Sequence, residues 1–160
     1  MTEPQWLTPQ ERQAWLALVF TSTVLPATFD SQLLREGKLS LFSYNVLAML
    51  SEAQDRTLPM SELAARTSSS LSRLSHVVRK LEDRGWVERR PSAMDARVTT
   101  ACLTDDGMST IESMAPGHVS TVRDLIFDGL DEQDVADLER VGKKIVGRLA
   151  PNHWLLREGE

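Results

Sequence analysis

Residues 60–103, MSELAARTSSSLSRLSHVVRKLEDRGWVERRPSAMDARVTTACL, change their hydrophobic period partway along, and that change leaves few folds open to the chain. Residues 60–66 form a short helical pattern with apolar Leu63 and Ala64, and residues 67–70 form a serine-rich turn. Leu74, Val77, Val78 and Leu81 then fall at i, i+3, i+4 and i+7, one face of a helix spanning 71–84. The opposite face carries Ser72, Arg73, His76, Arg79 and Asp83. Gly85 stands where a left-handed residue closes a helix, with Lys80 and Arg84 near the negative end of the dipole. Beyond Gly85 the pattern becomes that of strands. Residues 86–90 and 97–103 are predicted to pair as a hairpin, with 91–96 as the turn.

Helix, turn, helix and β-hairpin in that order make a winged helix-turn-helix, a unit that places its second helix in the major groove of DNA. Charge follows the same division. Residues 66–97 hold eight Arg and Lys against four acids, a surplus of four, while the whole chain has 18 basic and 23 acidic residues. The remainder therefore holds ten basic against nineteen acidic residues. An acidic protein with one basic face meets phosphate in one orientation and repels it in others.

The chain has 160 residues, enough for one domain with a real core, and its 41% hydrophobic and 26% charged content is that of an ordinary globular protein. The N-terminal MTEPQWLTPQ lacks the basic start and apolar run of a signal peptide, and no apolar run approaches a membrane span, so a cytoplasmic protein without a membrane partner is expected. A single cysteine, Cys102, excludes an internal disulfide and a cysteine-based zinc site. His76, His118 and His153 are scattered, with no phosphate-binding glycine loop and no nucleophile elbow. Neither an enzyme nor a bound cofactor is expected.

Around the central unit the chain reads as helices. Thr8-Pro9-Gln10-Glu11 is a helix start with a capping box. The helix that follows carries Trp15, Leu18, Val19, Leu25, Phe29 and Leu33 near helical spacing, with a kink expected at Pro26 and a stop at Gly37. Ser40 is expected to open a second helix over 41–53, and 54–59 reads as a polar loop. After the hairpin, Thr104 is the expected cap of another helix, with a kink or break at Pro116-Gly117. Asp131 starts the last helix and Pro151 ends it, leaving an apolar tail, Trp154-Leu155-Leu156. The fold class is thus mainly α with a small β-hairpin wing. The first helix and the last two carry more apolar surface than the central core needs, which a symmetric homodimer would cover.

The residues in this order resemble the multiple-antibiotic-resistance regulator (MarR) family of bacterial transcription factors over nearly the full length. Leu41-Phe42-Ser43-Tyr44-Asn45-Val46-Leu47-Ala48-Met49-Leu50 resembles that family's second helix, and Ser61-Glu62-Leu63-Ala64 the approach to its helix-turn-helix. Leu81-Glu82-Asp83-Arg84-Gly85-Trp86-Val87 resembles its recognition-helix exit. Asp95-Ala96-Arg97 followed by Leu103-Thr104-Asp105-Asp106-Gly107 resembles its wing and return to helix. The resemblance implies one domain over 1–160, with a winged helix-turn-helix at about 41–103 and dimerisation helices at about 8–37 and 104–160. It implies a homodimer that represses transcription on a pseudo-palindromic double-stranded DNA operator and is released by a small aromatic or phenolic effector.

By the same resemblance, Ser70, Ser72, Arg73, Ser75, His76 and Arg79 correspond to recognition-helix positions facing the major groove. Asp95 and Arg97 correspond to the wing pair, the acid directing an arginine into the minor groove. That chemistry is sound by itself: arginine pairs bidentately with guanine, and a guanidinium suits a narrow, negative minor groove. The chain departs from the family at His76, where arginine is common, and in a wing poor in charge at Ser92, Ala93 and Met94. It has no early cysteine of the peroxide-sensing kind, and Cys102 reads as a half-buried strand residue. Arg89 and Arg90 read as one phosphate contact and one solvated side chain. Trp15, Phe42, Tyr44 and His118 read as packing or surface residues, with an effector cavity as the other possibility. The competing function is a winged helix that binds protein, which lacks the salt dependence of phosphate contacts.

Overall fold

Local capping chemistry sets the helix starts. The Thr8 hydroxyl accepts from the Glu11 N–H at 3.2 Å while Glu11 Oε2 accepts from the Thr8 N–H at 2.7 Å, the reciprocal box expected of this sequence. It opens α1 (Pro9–Gly37) in a computed structural model that describes residues 4–157. The last three residues of the Trp154 tail, 158–160, lie outside the described residues, as do residues 1–3. The chain divides by its internal contacts into two units, one ending at Leu41 and one beginning at Phe42.

In the first unit α1 continues through Pro26 as one element. Proline withholds a single donor, and nearby hydroxyls bond helix carbonyls, Thr23 to Val19 at 2.8 Å and Thr28 to Val24 at 3.0 Å. The helix stops one residue later than the glycine suggests: Lys38, at φ 53°, takes the left-handed position and donates to the Leu34 carbonyl. The first N–H of α2 (Leu41–Glu52) is met by Asp30 Oδ1 at 2.8 Å, a cap from eleven residues back that no local pattern announces. Trp15, Leu16, Leu18, Val19, Phe20 and Val24 of α1 are exposed in the single chain.

In the second unit, residues 57–59, expected as part of a loop, form a third strand. β1 (Thr57–Pro59) pairs antiparallel with β3 (Thr99–Leu103), Leu58 opposite Ala101, and β3 pairs with β2 (Val87–Pro91), Val87 opposite Leu103. The sheet order is β1-β3-β2. Between β1 and β2 lie α3 (Met60–Arg66) and α4 (Leu71–Asp83). Leu63, Leu74, Val78, Leu81, Val87, Ala101, Leu103 and the α2 residues Val46, Leu47 and Leu50 are buried. The predicted inner face of α4 is therefore the observed one, with Val77 half-buried at its margin.

Thr104 caps α5 (Asp105–Leu125) by accepting from the Gly107 N–H at 3.0 Å. This helix also runs through its proline, Pro116, as one element, so of the expected kink or break the break does not occur. α6 (Glu132–Leu149) begins with a second capping box, Asp131 and Asp134. Val119 and Leu125 of α5 and Val135, Leu138, Val141 and Ile145 of α6 are exposed. Among the described residues no helix is long and apolar enough to cross a membrane.

The first turn of α5 lies close against the end of α4. A methyl group built on Gly107 would stand 2.2 Å from the Trp86 carbonyl oxygen and 2.6 Å from Leu103 Cδ1. The first of these is backbone and cannot swing aside, so Gly107→Ala is expected to lower unfolding free energy by about 1–3 kcal/mol through overpacking. Urea denaturation of the variant beside the native chain measures it.

Candidate nucleic-acid interface

Burial of Leu74, Val78 and Leu81 fixes which way α4 faces. At 100° per residue the face opposite these three carries Ser72, His76, Arg79 and Asp83, all exposed. The flanks are occupied differently. On one, Ser75 is half-buried and its hydroxyl lies 3.4 Å from Arg89 Nη1 of β2. On the other, the Arg73 guanidinium lies over the Phe42 ring of α2, 4.2 Å from its centroid. Ser70 is the N-cap, its hydroxyl accepting from the Arg73 N–H at 3.1 Å. The six recognition-helix positions named from the sequence thus fall into an outward row, Ser72, His76 and Arg79, and three residues engaged with their own fold.

The wing is braced from its base and at its tip. At the base, Arg89 donates to Glu82 of α4 through Nε at 3.0 Å, Nη2 at 2.7 Å and the backbone N–H at 3.0 Å. The side-chain hydrogen bonds from Arg89 hold the Glu82 carboxyl below its ordinary value, against the opposing effect of burial. Arg90 pairs with Glu88 on its own strand. Both arginines are therefore engaged with carboxylates, Arg89 half-buried and Arg90 largely exposed. The Glu82–Arg89 pair was invisible in sequence because it forms only when the hairpin folds back on α4.

At the tip, Arg97 donates to both Asp95 oxygens, each at 3.0 Å, and its backbone N–H also meets Asp95 Oδ1 at 3.0 Å. The Arg97 side chain is nonetheless 90% exposed, so the carboxylate aims the guanidinium without covering it. The hydrogen bonds from Arg97 hold the Asp95 carboxyl below its ordinary value. Beside them Met94 is almost wholly exposed. Arg84 stacks over Trp86 at 4.4 Å. Cys102 is a half-buried thiol in β3, and among the described residues no cluster of His, Cys, Asp or Glu could hold a metal ion.

An exposed helix face beside an arginine-tipped hairpin defines a winged helix-turn-helix with that face open to solvent. Residues 39–98 match the model of the MarR family. The structure is similar to Sco3205 of Streptomyces coelicolor, a MarR family transcriptional regulator solved in complex with DNA. The two are 37% identical, the likeness covers 94% of each chain, and the TM-score is 0.89. It is also similar to AbsC from the same organism, 32% identical over 93% of this chain and 100% of that one, with a TM-score of 0.87. The transcriptional repressor MprA of Escherichia coli K12 is 27% identical over 106 residues, 66% of this chain. The chain spans 60% of MprA's length. This chain belongs to the MarR family of transcriptional regulators.

The Glu82–Arg89 pair gives a test of the wing's anchorage. Because the folded-state pKa of Glu82 is depressed, its contribution is complete above the ordinary carboxylate value of 4.5 and is lost as pH falls through the lower folded value. Glu82→Gln is expected to lower stability by about 1–2 kcal/mol at pH 7, with the gap to the native chain closing as pH drops below the carboxylate range. Urea denaturation at pH 7 and in acid measures both parts.

Proposed function

We propose that this chain is a sequence-specific double-stranded DNA-binding regulator, a homodimeric repressor of a pseudo-palindromic operator, acting in the cytoplasm and without catalysis. The observation that carries the reading is its likeness over 94% of its length to a regulator solved on DNA. The outward row of α4 and the exposed wing-tip guanidinium supply matching chemistry. In this reading Ser72, His76 and Arg79 face the major groove and Arg97, directed by Asp95, enters the adjacent minor groove. The Ser70 hydroxyl and its neighbouring backbone sit at the positive end of α4, where a phosphate is favoured.

The homodimer is supported by the apolar side chains left in solvent: Trp15, Leu18 and Phe20 of α1, Val119 of α5, and Leu138 and Ile145 of α6. A two-fold arrangement of these helices, in residues 8–37 and 104–160, presents two copies of the 41–103 reading unit to half-sites one helical turn apart. Release by a small aromatic or phenolic effector belongs to the same reading. Such a ligand acts by binding the mis-spaced dimer better than the DNA-ready one, and can shift the balance only by that difference.

Fluorescence anisotropy of the native chain on its own upstream DNA, beside a scrambled duplex and at two salt concentrations, tests the reading. The expected result is tight, salt-dependent binding that prefers the native duplex. Arg79→Ala is expected to cost about 1–3 kcal/mol on the operator and to relax base preference, more than Arg73→Ala does. Arg97→Ala should weaken binding without altering the dimer. Binding neither duplex, together with capture of a protein partner insensitive to salt, would favour the protein-interaction alternative.

A further inference from the structure

Trp154 begins a single 3-10 turn, Trp154–Leu156, beyond the end of α6, yet it bonds to a residue 88 positions earlier. Its indole Nε1–H donates to the Arg66 carbonyl at 3.4 Å. Arg66 is the last residue of α3, so this oxygen is one of those a helix leaves without an internal donor. The Arg66 guanidinium lies over the same indole, 5.7 Å from its centroid, and is held there by Glu62 at 2.7 Å. The tail turn is itself braced: His153 Nδ1 accepts from the Leu155 N–H at 3.4 Å, and Arg157 donates to the Asn152 carbonyl at 3.1 Å. Clefts of about 450 and 380 Å³ open between the tail and α3. The tail therefore meets α3 at a point, through Trp154, and not along a continuous packed seam.

Immediately beyond Arg66 the chain turns into α4. Ser68 adopts a left-handed conformation at φ 50°, unusual for a residue with a side chain. The turn is held by the N–H groups of Thr67, Ser68 and Ser69 on the carbonyls of Leu63, Ala65 and Ala64, at 3.0, 3.2 and 2.9 Å. Each of these bonds ties the turn to the last helical residues of α3, the segment on which Trp154 closes. Ser70, the cap of α4, is the next residue after this turn.

We propose that Trp154 is a positioning residue for the reading helix: the tail is a strap from the end of α6 to the last turn of α3, setting the attitude from which α4 starts. The proposal rests on the reading of α4 as the DNA-contacting helix. It adds that the dimerisation helices act on α4 through this second connection, besides the covalent one at Thr104.

The test uses the full-length chain, Trp154→Ala and Trp154→Phe, the second keeping an aromatic ring for Arg66 while removing the N–H. Hydrogen exchange without DNA reads the strap directly. Trp154→Ala should speed exchange at Thr67, Ser68 and Ser69, with Trp154→Phe intermediate. On the operator, Trp154→Ala should weaken binding about tenfold, the effect of a reading-competent fraction reduced to about a tenth. The dimer mass and the salt slope should stay native, because no phosphate contact is removed. Native exchange at the three amides in a folded Trp154→Phe and Trp154→Ala would overturn the strap, as would an affinity loss with a shallower salt slope. If Trp154→Ala fails to fold, Trp154→Phe decides alone. A native chain that binds no operator defeats the DNA-reading proposal, while the exchange result still decides the strap.

Discussion

The backbone of Trp86 and the first turn of α5 approach so closely that no side chain fits at Gly107, and the directions of α4, the hairpin and α5 all depend on that contact. Gly85, at φ 74°, lets the chain leave α4 sharply, and the Trp86 N–H returns to the Leu81 carbonyl at 3.0 Å. The Trp86 carbonyl accepts the Thr104 N–H at 3.0 Å, and the Thr104 hydroxyl lies 2.6 Å from the Gly85 carbonyl. The end of α4, the base of the wing and the start of α5 are thus joined by hydrogen bonds within a few residues. Glu82 and Arg89 add a charged tie just above it.

Most of this was legible where the chemistry is local. The α4 face is set by the spacing of Leu74, Val78 and Leu81, and Thr8, Thr104 and Asp131 cap helices within three residues of themselves. Asp95 and Arg97 meet because a turn brings i and i+2 together. The features that were not legible depend on distant chain. Thr57-Leu58-Pro59 is too short to show a period and is a strand only because β3 lies beside it. Arg89 belongs to Glu82, and Ser75 to Arg89, only after the hairpin has folded. Pro26 and Pro116 both lie inside unbroken helices. Each removes one helical bond, and the many bonds on either side keep the helix continuous.

The same limit governs the tail. Trp154-Leu155-Leu156 is conspicuous in sequence as apolar surface needing a partner, but nothing in its spacing names Arg66. The helix end it meets had an unfilled acceptor, and an indole N–H is a donor that brings a large apolar body with it. Where the sequence shows an apolar residue beyond a helix-ending proline, a carbonyl at another helix's end is a partner worth looking for.

The uneven charge of the chain has a kinetic consequence on the DNA-binding reading. Eighteen basic and twenty-three acidic residues are divided so that the positive surplus sits in 66–97 and the negative one elsewhere. On that reading the basic segment would be the part drawn toward a polyanion while the acidic remainder is repelled. Repulsion of the acidic remainder by the same phosphates would confine contact with random sequence to the basic face. Time spent bound would be concentrated at the few places where base contacts prolong the visit.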